Sequence, residues 1–123
     1  MIKHCPSIAT AVLCCLLAFA TSVSAQLVKA PLGDILVNPD RYDHQAVTIS
    51  GTVTNLRERV SRAGNAYYTF DLSDGRQVIR VFSFGNAPCG SGGATVEGTF
   101  EKVKRQGRYT FYNEVTATRV MCR

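Results

Sequence analysis

The side chains able to do chemistry in this chain are mostly cations and aromatic rings. Arg57, Arg59 and Arg62 crowd one short stretch, and Lys102, Lys104, Arg105 and Arg108 crowd a second. Only Glu58 and Glu101 dilute these two runs. Tyr67, Arg80 and Phe82 lie between them. Cations beside ring faces suit a single-stranded nucleic acid, whose phosphates meet Lys and Arg while its bases stack on the rings. The same residues also have a plainer use: basic turns keep a domain soluble, and strand aromatics pair across a sheet.

No catalytic constellation accompanies them. His44 is the only histidine beyond the first few residues, and no Ser-His-Asp or Cys-His set can be assembled around it. Asp71, Asp74, Glu97 and Glu101 fall on separate segments, whereas a metal-dependent nuclease needs its carboxylates gathered around one cation. Gly90-Ser91-Gly92-Gly93 lacks the lysine and the following helix of a phosphate loop. With five unevenly placed Cys and two His, neither a Cys₂His₂ nor a Cys₄ zinc site is in view. The expectation is a non-enzymatic chain with no metal and no cofactor.

Length and composition agree with a small binding domain. The chain has 123 residues, 46% hydrophobic and 19% charged, with 14 Lys+Arg against 9 Asp+Glu and a formal net charge of +5. These values exclude a disordered chain and a multi-domain enzyme. Residues 1–25 stand apart. Lys3 and His4 make a basic start, Ile8 to Ala20 is apolar except for Thr10, and Val23 and Ala25 stand at the small-residue spacing of a signal-peptidase site. The apolar run is short for a bilayer crossing, which needs ~20 residues. The segment reads as a cleaved signal peptide that leaves no membrane span. The mature protein is then exported, to the periplasm or outside the cell. Cys5, Cys14 and Cys15 leave with the leader, and Cys89 and Cys122 remain to form a disulfide.

The elements that must position the cations are strands. Residues 26–45 form a lead-in, with a short helix expected near 32–37, stopped by Asn38-Pro39-Asp40. From Ala46 the hydrophobic period becomes two. Val47, Ile49, Gly51 and Val53 alternate with Thr48, Ser50, Thr52 and Thr54. Further strands are predicted over 66–73, 77–84, 94–103 and 109–120. Asp74-Gly75 signals a type I′ hairpin. Gly51 and Gly98 interrupt apolar faces, as glycines at barrel corners do. Five strands without a long amphipathic helix predict a small all-β barrel over residues 46–123.

The pattern resembles the OB-fold, a five-stranded Greek-key barrel, and in particular exported bacterial proteins similar to the tRNA-anticodon-binding type of OB domain. The residues that carry the resemblance are Val47-Thr48-Ile49-Ser50-Gly51-Thr52-Val53 and Tyr67 through Gly75. Val96-Glu97-Gly98-Thr99-Phe100 and Glu114-Val115-Thr116-Ala117 complete it, so it covers about residues 46–120. One departure stands out. Many members carry a helix between the third and fourth strands, but residues 85–93 are too Gly-rich and too short for one. The expectation is that the disulfide substitutes for that plug.

The resemblance implies a ligand site across the second and third strands, clamped by the loops between strands one and two and between strands four and five. The two basic runs fall at those loops. If Phe70, Leu72, Ile79 and Val81 face the core, Tyr67, Arg80 and Phe82 face the ligand. Tyr109 or Tyr112 joins them according to the parity of the last strand, which the pattern leaves open. The expected partner is a single-stranded nucleic acid or another polyanion, bound by a monomer. The alternatives are an envelope protein meeting the basic rim, or an oligosaccharide.

Overall fold

The computed structural model describes residues 26–123, so the proposed leader lies outside the described residues. The first described element is a two-residue strand, β1 (Val28–Lys29), which pairs in parallel with the start of β2 (Ala46–Val60). Between them lie α1 (Leu32–Val37) and α2 (Pro39–Tyr42). α1 falls where the Leu32, Ile35 and Leu36 spacing predicts it and stops at Asn38, whose N–H bonds the Asp34 carbonyl at 3.0 Å. Four strands follow: β3 (Ala66–Ser73), β4 (Val78–Phe84), β5 (Gly92–Gln106) and β6 (Tyr109–Cys122). Among the described residues the sheet therefore has six strands where the alternation predicts five; two residues are too few to show a period.

The strand order is β1-β2-β3-β4-β6-β5, and β5 returns to pair with β2. β2 reaches both neighbours by bending. Residues 46–53 pair with β5, and 52–60 pair with β3. A short parallel contact between β4 and β6, Arg80↔Glu114 through Phe82↔Thr116, closes the ring. A five-stranded Greek-key barrel closed in this way, with one extra edge strand, is an OB-fold.

The core follows the period-two reading. Val47, Ile49 and Val53 of β2 are buried, as are Phe70 and Leu72 of β3 and Ile79 and Val81 of β4. Val96 and Phe100 of β5 join them, with Val115 and Ala117 of β6. Gly51 and Gly98 stand where the barrel wall is tightest. A Cβ on Gly51 would come within 2.5 Å of the Ser73 carbonyl oxygen, and one on Gly98 would overlap the Thr116 carbonyl. Gly98 also sits at the register shift between β5 and β6, which is where a bulge bends a barrel strand.

Three details differ from the sequence expectation. The β3–β4 hairpin turns on Gly75 and Arg76, with only Gly75 left-handed (φ 94°). Gly at the first central position is the type II′ pattern, not type I′. Asp74 instead accepts the Arg76 and Gln77 N–H groups on Oδ1, both at 2.8 Å. Those bonds hold its carboxyl below the ordinary aspartate pKa. Second, the disulfide is not alone against the core: Cys89 packs on it, and α1 buries Leu32 and Ile35 in it fully. The Cys89–Cys122 disulfide is formed, with Cα atoms 5.8 Å apart, and ties the β4–β5 connection to the end of β6. Third, β2 and β5 run on to Val60 and Gln106, so most of the basic residues lie on strands, not in turns.

Candidate functional site

The two hairpins converge, but only the first brings its cations to the space between them. The β2–β3 hairpin and the β5–β6 hairpin rise beside β4 and enclose a groove of about 840 Å³. Arg59, Ser61, Arg62, Asn65 and Tyr67 line it from the first hairpin. Gln106, Tyr109 and Phe111 line it from the second, and Arg80, Phe82 and Phe84 form its β4 wall. A smaller hollow of about 290 Å³ continues from it, lined by Asn55, Arg57, Arg59, Tyr67, Thr69 and Arg80.

A local irregularity in β2 puts the arginines there. In its first half, odd-numbered residues face the core. The pairing with β3 then slips by one residue between Thr54 and Arg57, and Asn55 takes a left-handed φ of 56°. A one-residue slip exchanges the two faces of a strand. Arg57 now stands opposite Thr69 and Arg59 opposite Tyr67, on the groove side. Asn55 secures the bend by donating from Nδ2 to Asp71 Oδ2 at 3.3 Å.

Left-handed backbone recurs in β6, where Asn113 has φ 53°. Tyr109 and Phe111 precede it and line the groove. Glu114 follows it with the opposite parity, yet meets Arg80 of the same groove wall. This is why simple alternation cannot assign the last strand. Tyr109 and Phe111 belong to the groove, and Tyr112 does not line it.

Glu114 organises the floor. Its side chain is 1% exposed, Oε2 accepts from Arg80 Nε at 2.7 Å, and Oε1 accepts from Lys104 Nζ at 2.8 Å. Lys104 also donates to Thr116 Oγ1 at 3.0 Å. Each cation lies over a ring as well: Lys104 Nζ is 4.1 Å from the Phe82 centroid, and Arg80 Cζ is 4.7 Å from that of Phe111. Cation–π contacts of this kind strengthen as water is removed. Tyr67 stacks on Phe82 at 5.3 Å, and Phe84 meets Phe82 edge-on at 5.0 Å. The result is a stiff platform on which Phe84 (67% exposed) and Tyr109 (64%) remain open to a ligand.

The sequence-predicted residues thus separate into groups. Arg57, Arg59, Arg62, Tyr67, Arg80 and Phe82 are gathered around the groove and its hollow. Phe82 faces the groove as expected, but its ring is buried under its neighbours. Lys104 is spent on Glu114 beneath the floor, and only 14% of its side chain is exposed. Lys102 bonds Asp40 at 2.7 Å, away from the groove lining. That hydrogen bond raises its pKa above the ordinary lysine value. Arg105 and Arg108 are exposed and do not line the groove. Phe84, Phe111, Gln106 and Glu114 are groove or floor residues that sequence reasoning missed. Phe84 carried a usable signal, the parity it shares with Phe82. Glu114 carried none, since its partners lie 10 and 34 residues away. Among the described residues no cluster of His, Cys, Asp or Glu could hold a metal ion. Nor is any described helix long and apolar enough to cross a membrane.

No family model matches the chain, and no curated protein matches it. Solved structures do. RecG bound to a three-way DNA junction superposes with a TM-score of 0.56 at 18% identity, over 80% of this chain and 13% of that one. A putative aspartyl-tRNA synthetase from Leishmania major Friedlin gives 0.58 at 15% identity, over 82% of this chain and 21% of that one. The OB domain of Ta0387 from Thermoplasma acidophilum aligns over 76% of this chain and 85% of that one, at 20% identity and a TM-score of 0.47. The chain therefore spans only a small part of the two larger proteins. At such identities the shared property is the fold, and fold alone does not carry function.

Proposed function

We propose that this chain is a non-enzymatic nucleic-acid-binding OB module that holds short single strands, with little sequence preference, in the groove between its two long hairpins. The observation that carries this reading is the groove lining: exposed Phe84 and Tyr109 beside Arg59, Arg62 and Arg80, at the fold's ligand face. Rings stack on any base, and guanidinium groups pair with any phosphate, so the arrangement is sequence-tolerant. Two of the solved structures similar in fold carry nucleic-acid partners in their names, a DNA junction and a tRNA synthetase. The leader-like segment supports export, to the periplasm or beyond.

The test is binding of short single-stranded DNA to the mature oxidised protein, followed by NMR. Shifts are expected at Arg59, Arg62, Tyr67, Arg80, Phe84, Tyr109 and Phe111. If about four phosphates are neutralised, log K falls against log salt with a slope of roughly −3. Shifts confined to other surfaces, or no binding at low salt, overturn the reading.

A second reading has one observation of its own. Ser61, Asn65 and Gln106 add neutral hydrogen-bonding groups beside Tyr67 and Tyr109, the mixture an oligosaccharide site uses. A glycan array separates the two: glycan binding that is indifferent to salt supports the sugar.

A further inference from the structure

The cations of this groove are not spread evenly. The aromatic part lies between β4 and the β5–β6 hairpin, while three arginines meet in the 290 Å³ hollow at the other side. Arg57 and Arg59 come from β2 beyond its bulge, and Arg80 comes from β4. Among the described residues neither Arg57 nor Arg59 has an acidic partner within salt-bridge distance. Arg80 is paired, but through Nε only. Its two Nη groups make no hydrogen bond among the described residues and remain available to a ligand. Because Glu114 and Phe111 hold that guanidinium, little side-chain freedom is left to lose on binding.

Three guanidinium groups around a small polar hollow suit one compact, multiply charged anion. A terminal phosphate monoester fits better than an internal diester. It carries about −1.5 to −2 charge and three acceptor oxygens, where a diester carries one charge and two free oxygens. Guanidinium groups bind such oxygens in bidentate fashion. The far side of the hollow also disfavours a continuing strand. Asp71, held by Asn55 at 3.3 Å, lines the adjoining recess with Arg57 and Arg80. A polyanion running on past the arginines would meet that carboxylate.

We infer that the Arg57–Arg59–Arg80 hollow is a subsite for the phosphorylated end of a single strand, whose first bases then lie on the aromatic part of the groove. This inference rests on the nucleic-acid reading above. It adds that the module recognises strand ends. Glu114 acts in it as a positioning residue for Arg80.

The test compares tetrathymidylate carrying a 5′-phosphate, a 3′-phosphate or neither, by fluorescence anisotropy on the mature oxidised protein. Unphosphorylated pentathymidylate and hexathymidylate, which add one and two diester charges, bracket the charge of the monoester, and inorganic phosphate is titrated alone. One phosphorylated end should bind about tenfold more tightly than the unphosphorylated strand, the gain of charge-assisted hydrogen bonds, and more tightly than the pentamer or the hexamer. That advantage should vanish in Arg57→Gln and in Arg59→Gln, two exposed positions, with circular dichroism confirming the fold. Equal binding of all strands overturns the end-recognition inference and leaves the nucleic-acid reading standing. An advantage that persists in both variants overturns the assignment to this hollow. Binding of inorganic phosphate but of no strand assigns the hollow to a free anion and overturns both readings. Binding of nothing also overturns both.

Discussion

Arg80 Nε donates to Glu114 Oε2 at 2.7 Å across the short parallel contact that closes the barrel, and the two residues stand directly opposite in its register. One residue lines the groove and the other lies in its buried floor, so the pair ties the proposed site to the architecture. A carboxylate with 1% exposure is tolerable here because two cations, Arg80 and Lys104, each donate to one of its oxygens.

Replacing Glu114 by Gln leaves Lys104 almost enclosed without a counter-charge. Breaking a fully buried pair costs about 3–5 kcal/mol. Arg80 is 41% exposed and can turn to water, so the expected loss is nearer 2 kcal/mol. Urea unfolding should show a lower midpoint with an unchanged slope. A variant as stable as the parent would mean that the pair only decorates the seam.

Phe84 separates binding from stability. Its ring is two-thirds exposed and meets only Phe82 edge-on among the rings, so Phe84→Ala should cost stability about 1 kcal/mol. If bases stack on it, the same change weakens a short single strand by about 1–3 kcal/mol. Anisotropy and thermal melting on one preparation measure both. Unaltered affinity removes Phe84 from the platform.

Reducing the Cys89–Cys122 bridge frees a connection of 33 residues. The chain-entropy model gives about 4 kcal/mol for a loop of that size. Melting should fall by roughly 15 °C or more in reductant, given about 4–8 °C per kcal/mol for a domain of this length. The groove contains neither cysteine, so the folded, reduced protein should keep its affinity.

Ile35 tests the lead-in. It is fully buried among barrel residues although it precedes the barrel in sequence. Ile35→Ala should cost about 2–5 kcal/mol, and a chain beginning at Ala46 should lose its cooperative unfolding transition. A stable, cooperative truncated barrel would show that α1 is dispensable.

The barrel was legible because each of its strands buries one face, and burial of one face writes itself as alternation: Val47, Ile49 and Val53, or Ile79 and Val81. Gly51 and Gly98 were legible for a related reason, since they interrupt that alternation where a side chain has no room. The site was half legible. Cations and rings announce themselves by type, and the fold brings the hairpins carrying them together. What alternation cannot show is where it breaks. Asn55 and Asn113 each take a left-handed backbone that moves later side chains to another face, and asparagine tolerates that conformation without demanding it. Nor does sequence show which cations are already engaged. Lys104 and Lys102 look like Arg57 and Arg59 until Glu114 and Asp40 are seen beside them.

The ring is joined by only three residue pairs between β4 and β6, and Arg80, Phe82, Glu114 and Thr116 are among them. The weakest stitch of the cylinder therefore runs along the floor of the proposed site. A brief parting of that strip would dismantle the platform while the hairpins on either side stayed paired. An occupant bridging Arg80 to the β5–β6 hairpin would act as a clasp, slowing amide exchange along the join before any change in the rest of the wall.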